Sequence, residues 1–328
     1  MARAKKTAMS WAVAKSTGER RLRVGLIGAG YFGARHASKL GGLPEVELAA
    51  LVDADPERAE RLARTCGAAV LPGLEALRGR VDAVVLATPA TTHARLAGAL
   101  LEADLHVLVE KPLAETRTEA EGLCALAEAR GRVLRVGHLE RFNPAFLEAA
   151  RSLRAPRWLR LERLGPNPGR GLDTDVVREV MTHDLDLLGA LGLEAPDEVR
   201  AWGTAIFSGR VDVACASLRW ASGLEVELCA SRAHARASRR LEALDSLGWL
   251  EADLAARSLA RADGCVGQAP AAALAPELDP LLEQDRAFAR AALGLPGAAA
   301  GASGRDGLRA VALAERILAS LGAGEGAR

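Results

Sequence analysis

The stretch "GLIGAGYFG" sets Gly28, Gly30 and Gly33 in a G-x-G-x-x-G pattern, and Asp53 stands twenty residues beyond Gly33. Such glycines permit a tight turn, let a pyrophosphate reach the backbone and let helix and strand pack closely, while the acid accepts hydrogen bonds from ribose hydroxyls. Tyr31 and Phe32 lie inside the same loop. In "HVLVEKPLAE", Lys111 is one of only five lysines in a chain with 43 Lys and Arg, and none follows it. Arginine stays protonated in proteins, whereas a lysine can be tuned to exchange a proton near neutral pH. Glu110, its neighbour on a strand, should point to the opposite side. In "REVMTHDLDLL", Glu179, His183 and Asp186 fall at i, i+4 and i+7 and would share one helix face. A histidine there can relay a proton and a carboxylate can fix its tautomer. Together these residue types suit hydride transfer between a carbinol carbon and a nicotinamide, with Lys111 as the acid/base and His183 assisting or sharing that role.

Short apolar runs alternating with helical stretches position the first set. "LRVGLIGAG", "VELAALVDA", "VDAVVLATP", "HVLVEKP" and "VLRVGH" read as strands of a parallel sheet covered on both faces, a doubly wound Rossmann arrangement. Ligands bind at the carboxyl ends of such strands. Thr88 and Pro89 should therefore border a dinucleotide, with His93 farther along the same stretch, and Glu110 and Lys111 should lie beside the nicotinamide. His138, Arg141 and Asn143 in "GHLERFNPA" follow the last strand and should face the substrate. Arg163, Arg170 and Arg178 lie on the same presumed side. Past "RFNPAF" to "GPNPGRG", read as loop-rich, comes one helix, "DVVREVMTHDLDLLGAL". Strands without intervening helices follow, from "EVRAWGTAIF" to "GWLEADL", which implies a second α/β domain with an open, mainly antiparallel sheet. "APAAALAPELDP" reads as a loop and "RDGLRAVALAERILASL" as an amphipathic terminal helix. The boundaries are a flexible basic tail over 1–20, a dinucleotide-binding domain over 21–138, a substrate-binding and oligomerisation domain over 139–303, and a terminal helix and tail over 304–328.

A formal net charge of +1 argues against nucleic acid or an anionic membrane as partner and for a small molecule. The five cysteines show no C-x-x-C pair and no zinc spacing, so they read as free thiols in a reducing cytoplasm. No apolar run reaches the length of a membrane span. His183, Asp184, Asp186 and His138 lack a recognisable metal-ligand spacing, and no metal is expected. Asp53 would repel a 2′-phosphate, which favours NAD over NADP, although Arg58 could help hold one.

"GAGYFGARHASKL", "ATPATTHARLA", "VEKPLA" and "VGHLERFNPAF" together resemble the Gfo/Idh/MocA family of NAD(P)-dependent oxidoreductases, from about Leu22 to the terminal helix. The resemblance implies a Rossmann domain followed by an α/β domain whose open sheet often forms the subunit contact, and a catalytic lysine at Lys111. Family members often carry an aspartate four residues before the helix histidine; Glu179 stands there. "RLGPNPGRG", with the "GHLERFNPA" and "THDLDLL" segments, is most similar to the nucleotide-sugar branch, UDP-N-acetylglucosamine 3-dehydrogenases among it. Substrate contacts are then expected from Lys111, His138, Arg141, Asn143, Arg170, Glu179 and His183. The implied reaction is oxidation of a UDP-N-acetylhexosamine to its 3-keto form by a homodimer or homotetramer. An inositol or free-sugar dehydrogenase, or a non-catalytic NAD-dependent sensor, remains open.

Overall fold

A computed structural model describes residues 21–167, 169, 172, 174–264, 272–296 and 300–325. The basic tail over 1–20 and the candidate substrate residue Arg170 lie outside them. The chain opens with β1 (Leu22–Ile27), α1 (Tyr31–Leu40), β2 (Val46–Val52), α2 (Pro56–Cys66), β3 (Ala69–Val70) and β4 (Ala83–Leu86). It continues through α3 (His93–Glu102), β5 (His106–Val109), α4 (Arg117–Ala129) and β6 (Leu134–Val136). The caps follow from sequence. Asp55 accepts from the Arg58 N–H ahead of Pro56 at the start of α2, and Thr116 and Glu119 form a reciprocal capping box on α4.

β1 to β6 form a parallel sheet in the order β6-β5-β4-β1-β2-β3. β1 lies between β4 and β2, so the chain winds outward in both directions from it. That reversal opens a crevice above the carboxyl ends of β1 and β4, where Rossmann sheets take ligands.

The second sheet is built from β7 (Trp158–Leu164), β8 (Glu198–Thr204), β9 (Val213–Arg219), β10 (Glu225–Ser231), β11 (Ser238–Leu244), β12 (Gly248–Asp253), β13 (Ser258–Asp263) and β14 (Ala272–Ala273). Its order is β14-β13-β12-β11-β7-β10-β9-β8, with β7 and β10 parallel and the other pairs antiparallel. The helix carrying His183, α6 (Thr182–Ala190), follows a π-helical turn over Val177–Met181 and packs its leucines into the core under this sheet. α7 (Pro280–Ala292), β15 (Ala302–Ser303) and α8 (Gly304–Glu325) complete the chain. β15 pairs antiparallel with β6 and α7 lies against α1, so the chain from α7 onward returns to the first sheet.

Three expectations need correction. The stretch read as loop-rich holds α5 (Pro144–Ser152) and β7, which sits inside the second sheet between β11 and β10. In "WLRLERL", Leu159, Leu161 and Arg163 all point inward, and a buried arginine breaks the apolar alternation by which a strand is read. α7 was hidden for a related reason, because its buried face includes Gln284 and Asp285. The third correction concerns the thiols. Cys215 and Cys229 stand opposite each other on β9 and β10, with Cα atoms 4.2 Å apart, and are joined as a disulfide. Sequence separation cannot report cross-strand register. Cys66 and Cys124 are free, and Cys265 lies outside the described residues.

Candidate active site

The glycine loop shows the close contacts that its pattern demands. Gly28 has φ +94°, and a Cβ there would stand 2.4 Å from the Ala87 carbonyl oxygen at the end of β4. A Cβ on Gly33 would stand 1.8 Å from the Gly28 carbonyl oxygen, so helix and strand meet only because position 33 has no side chain. Gly30 differs. A Cβ there meets nothing within 4 Å, and Gly30 opens α1 without a side-chain cap. The space over the helix N-terminus is thus open to a pyrophosphate, which the helix dipole and backbone N–H groups favour. Asp53 accepts from the Ala29 N–H at 2.6 Å and from the Asp55 N–H at 2.8 Å, which sets its carboxylate at the loop. These residues fit a dinucleotide. Gly30→Ala is expected to fold with a wild-type melting curve and lose NAD affinity, whereas Gly33→Ala should lower the melting temperature as well; NAD titrations and thermal melts check the pair.

Arg58 reaches within 3.9 Å of Asp53 and 3.3 Å of Asp55. Thr88 and Pro89 lie at the end of β4, where the Thr88 hydroxyl meets Thr92 at 2.7 Å. His93 is placed otherwise than expected. It is buried, with Nδ1 2.7 Å from the Pro112 carbonyl and Nε2 2.9 Å from that of Thr88, and it tethers the loop after β4 to the loop after β5. Burial lowers its pKa.

Lys111 projects from the end of β5, ahead of a cis bond to Pro112, into a cleft of about 740 Å³ between the two sheets. Tyr31, Phe32, Arg35, Glu179, His183 and Arg239 share the lining. Nζ donates to the Glu179 carbonyl at 2.7 Å and pairs with its carboxylate at 3.0 Å. Only 7% of the lysine side chain is exposed. Glu110, just past the end of β5, lines the same cleft, and its carboxylate meets His36. His183 is half-buried, its enclosed Nδ1 has no hydrogen-bond partner among the described residues, and its ring stands nearly perpendicular to that of His138, centroids 6.3 Å apart. Burial, then the charges of Lys111 and Arg163, hold the His183 pKa well below its ordinary value. Burial likewise lowers that of His138. Both rings are therefore neutral near pH 7 and able to accept a proton or a hydrogen bond.

Other expected site residues are spent on structure. Arg141 makes two bonds to Asp186, at 2.8 and 2.7 Å, and lies 3.3 Å from Asp306 on α8. Asp186 consequently does not fix the His183 tautomer. The π-helical turn inserts an i→i+5 repeat after Glu179 and breaks the single face that ideal spacing implied. Asn143 caps α5 through the Ala145 N–H and donates to Glu140 and the Leu254 carbonyl, although it lines the cleft floor. Arg163 pairs with Glu140 at 2.9 Å and Asp184 at 2.8 Å, and Arg178 with Asp175 at 2.6 Å. Sequence reasoning passed over His36, Asp285, Arg35 and Arg239. His36 lies three residues past the glycine-loop motif, and that nearness was the one available signal. Among the described residues, no group of three or more His, Cys, Asp or Glu could hold a metal ion, and no helix is long and apolar enough to cross a membrane.

Residues 22–138 match a family model described as the oxidoreductase family with an NAD-binding Rossmann fold, GFO_IDH_MocA. The chain is 38% identical over 222 residues to a UDP-N-acetylglucosamine 3-dehydrogenase of Acidithiobacillus ferrooxidans, covering 67% of this chain and 70% of the relative. A solved structure of that dehydrogenase superposes with a TM-score of 0.85 at 32% identity, over 93% of this chain and 99% of the other. An inositol 2-dehydrogenase of Acidothermus cellulolyticus is 36% identical over 194 residues, 56% of this chain and 57% of the relative. A gentamicin A biosynthesis protein solved in complex with NAD superposes with a TM-score of 0.82 at 26% identity, over 96% and 98% of the two chains.

Proposed function

Because the chain belongs to the Gfo/Idh/MocA family of NAD-binding oxidoreductases acting on CH–OH groups, we propose that it oxidises a UDP-linked N-acetylhexosamine to the 3-keto sugar with NAD. The observation that carries this reading is the convergence of Lys111, Glu179 and His183 on one cleft wall, in a cleft whose other wall begins at the glycine loop. The nicotinamide, when bound, supplies hydride acceptance at its C4. Lys111 Nζ, in its neutral form, takes the hydroxyl proton as the C–H bond breaks. Glu179, 3.0 Å away and partly open to solvent, then holds the ammonium and offers its proton a path out of the cleft. Neutral His183 orients the hydroxyl or shares the proton. Holding carbinol and base at contact distance is a large part of the catalytic effect.

The substrate choice rests on the UDP-N-acetylglucosamine 3-dehydrogenase relative, and Arg35 and Arg239 on the cleft wall suit a diphosphate. Asp53 at the adenosine end favours NAD over NADP. The protein works as a homo-oligomer, with the second sheet's outer face, where Trp202 is 61% exposed, as its contact. A second reading, an inositol dehydrogenase, is favoured by the inositol 2-dehydrogenase relative. NADH formation at 340 nm with NAD⁺ and a panel of UDP-sugars, inositols and free hexoses separates them. Turnover confined to an N-acetylated UDP-sugar supports the first reading, turnover of inositol alone the second, and no turnover on the whole panel with NAD bound refutes both.

A further inference from the structure

His36 takes no part in the proton chemistry above, yet it is fully buried between that chemistry and the cofactor loop. It lies on α1, three residues past Gly33. Nδ1 is 2.8 Å from Asp285 on α7, and Nε2 is 3.0 Å from Glu110. A ring with a carboxylate at each nitrogen satisfies both only when both nitrogens carry hydrogen, which is the imidazolium. Burial alone would lower its pKa, but the charge and hydrogen bond of Asp285, followed by those of Glu110, raise it to about 10.

The cluster joins three pieces of the site. α1 begins at the glycine loop, Glu110 precedes Lys111, and the Asp279–Leu281 start of α7 lines the cleft. Glu110 is wedged against Gly137, where a Cβ would stand 2.5 Å from Oε1, and its other oxygen is 3.3 Å from the Lys111 N–H. The remaining charged or titratable groups facing the cluster are Lys111, His93 and His138 toward Glu110, and Asp279 toward Asp285. Asp279 is itself paired with Lys39 at 2.8 Å.

We propose that His36 is a positioning residue: by neutralising Glu110 it leaves the Lys111 amine to Glu179 and the cleft. The physical reason is competition. Without the imidazolium, two buried carboxylates face each other, and the nearest cation to Glu110 is the lysine that follows it. An uncompensated buried anion draws in whatever cation can reach it. Lys111 Nζ would then be pulled back under the loop, away from the carbinol. At low pH one carboxylate of such a pair holds a proton and the pull is weak; as pH rises that proton leaves and the pull grows.

This inference rests on the reading of Lys111 as the base, so the test has a readout that does not need turnover. The five lysines of the full chain permit peptide-resolved acetic anhydride labelling, with Lys39 reporting whether α7 stays docked. In His36→Gln, Lys111 acylation relative to wild type is expected to fall severalfold, and to fall further between about pH 6 and 8 as the carboxylate pair ionises. kcat should drop about a hundredfold, the order expected for a misplaced catalytic group, with NAD affinity and Lys39 labelling unchanged. Adding Glu110→Gln removes the competing anion and should restore both Lys111 acylation and turnover. A merely structural histidine predicts the opposite, since the double variant is then worse than the single. Glu110→Gln alone removes the competing anion with His36 in place and should keep Lys111 labelling, which covers the case that His36→Gln fails to fold. Unchanged Lys111 acylation in His36→Gln, no recovery in the double variant, or lost labelling in Glu110→Gln would each overturn the proposal. If wild type oxidises no sugar on the panel, the proposed reaction fails on its own account and the labelling still decides the role of His36.

Discussion

Replacing Lys111 by arginine is expected to leave NAD binding intact and to lower kcat about 10²–10⁴-fold, the usual worth of a positioned general base. The two side chains carry the same charge, so the ion pair with Glu179 at 3.0 Å can re-form and the fold should survive. What is lost is the ability to give up the proton, since a guanidinium stays charged in proteins. NAD titration and steady-state kinetics on the identified substrate measure the two properties separately. Retained turnover would remove Lys111 as base and leave His183, whose half-buried, neutral ring also lines the cleft. A variant with weakened NAD binding as well would mean that the substitution had damaged the cleft.

Arg163→Met should produce the largest loss of stability, on the order of 3–5 kcal/mol, because it leaves charge buried without a partner. Arg163 is 6% exposed and bonds Glu140 on one side and Asp184 on the other, tying the end of β7 to the α6 helix and to the turn after β6. Burial already raises the pKa of Asp184, and its second oxygen has no hydrogen-bond partner among the described residues. Without the guanidinium Glu140 keeps only Asn143 at 2.9 Å and Arg239 at 3.7 Å, while Asp184 must take up a proton or pull toward water. A thermal melt should move down by on the order of 10 °C at neutral pH. Neutralising both partners in the same chain, Glu140→Gln with Asp184→Asn, should recover much of the loss, since an unpaired charge and not a missing contact is the cause. A shift of less than about 1 kcal/mol in the single variant would place the cluster with weak surface pairs instead.

These residues show where reading the chain succeeds and where it stops. Gly28, Gly33 and Asp53 act locally, through a turn and one adjacent strand, so the spacing that makes them recognisable is also what makes them work. Lys111 was legible for a different reason. A chain that uses arginine almost everywhere keeps a lysine at a strand end, where a proton must move. Arg141 and His93 have the right types and the right neighbourhoods, yet neither is among the residues that line the cleft. Their partners, Asp186 and Asp306 for one and two backbone carbonyls for the other, are assigned by packing between distant elements. Asp186 lost its expected role to Arg141, while the π turn shifts only Glu179 in phase against the residues of α6, a change that no ideal-helix spacing contains.

By itself the sequence determined the family, the parallel sheet with its dinucleotide loop, and the strand end that carries Lys111, because each depends on residues close together along the chain. Only the tertiary structure decided which charges serve the cleft and which serve the core. In the sequence Arg163 and Arg141 read as charges on the substrate side, and His36 drew no reading. In the fold they are neutralised by carboxylates 23, 45 and up to 249 residues away. Such pairings form when the second sheet, α7 and α8 close against the first domain, and the cost of burying an unpaired charge is what holds them to these partners.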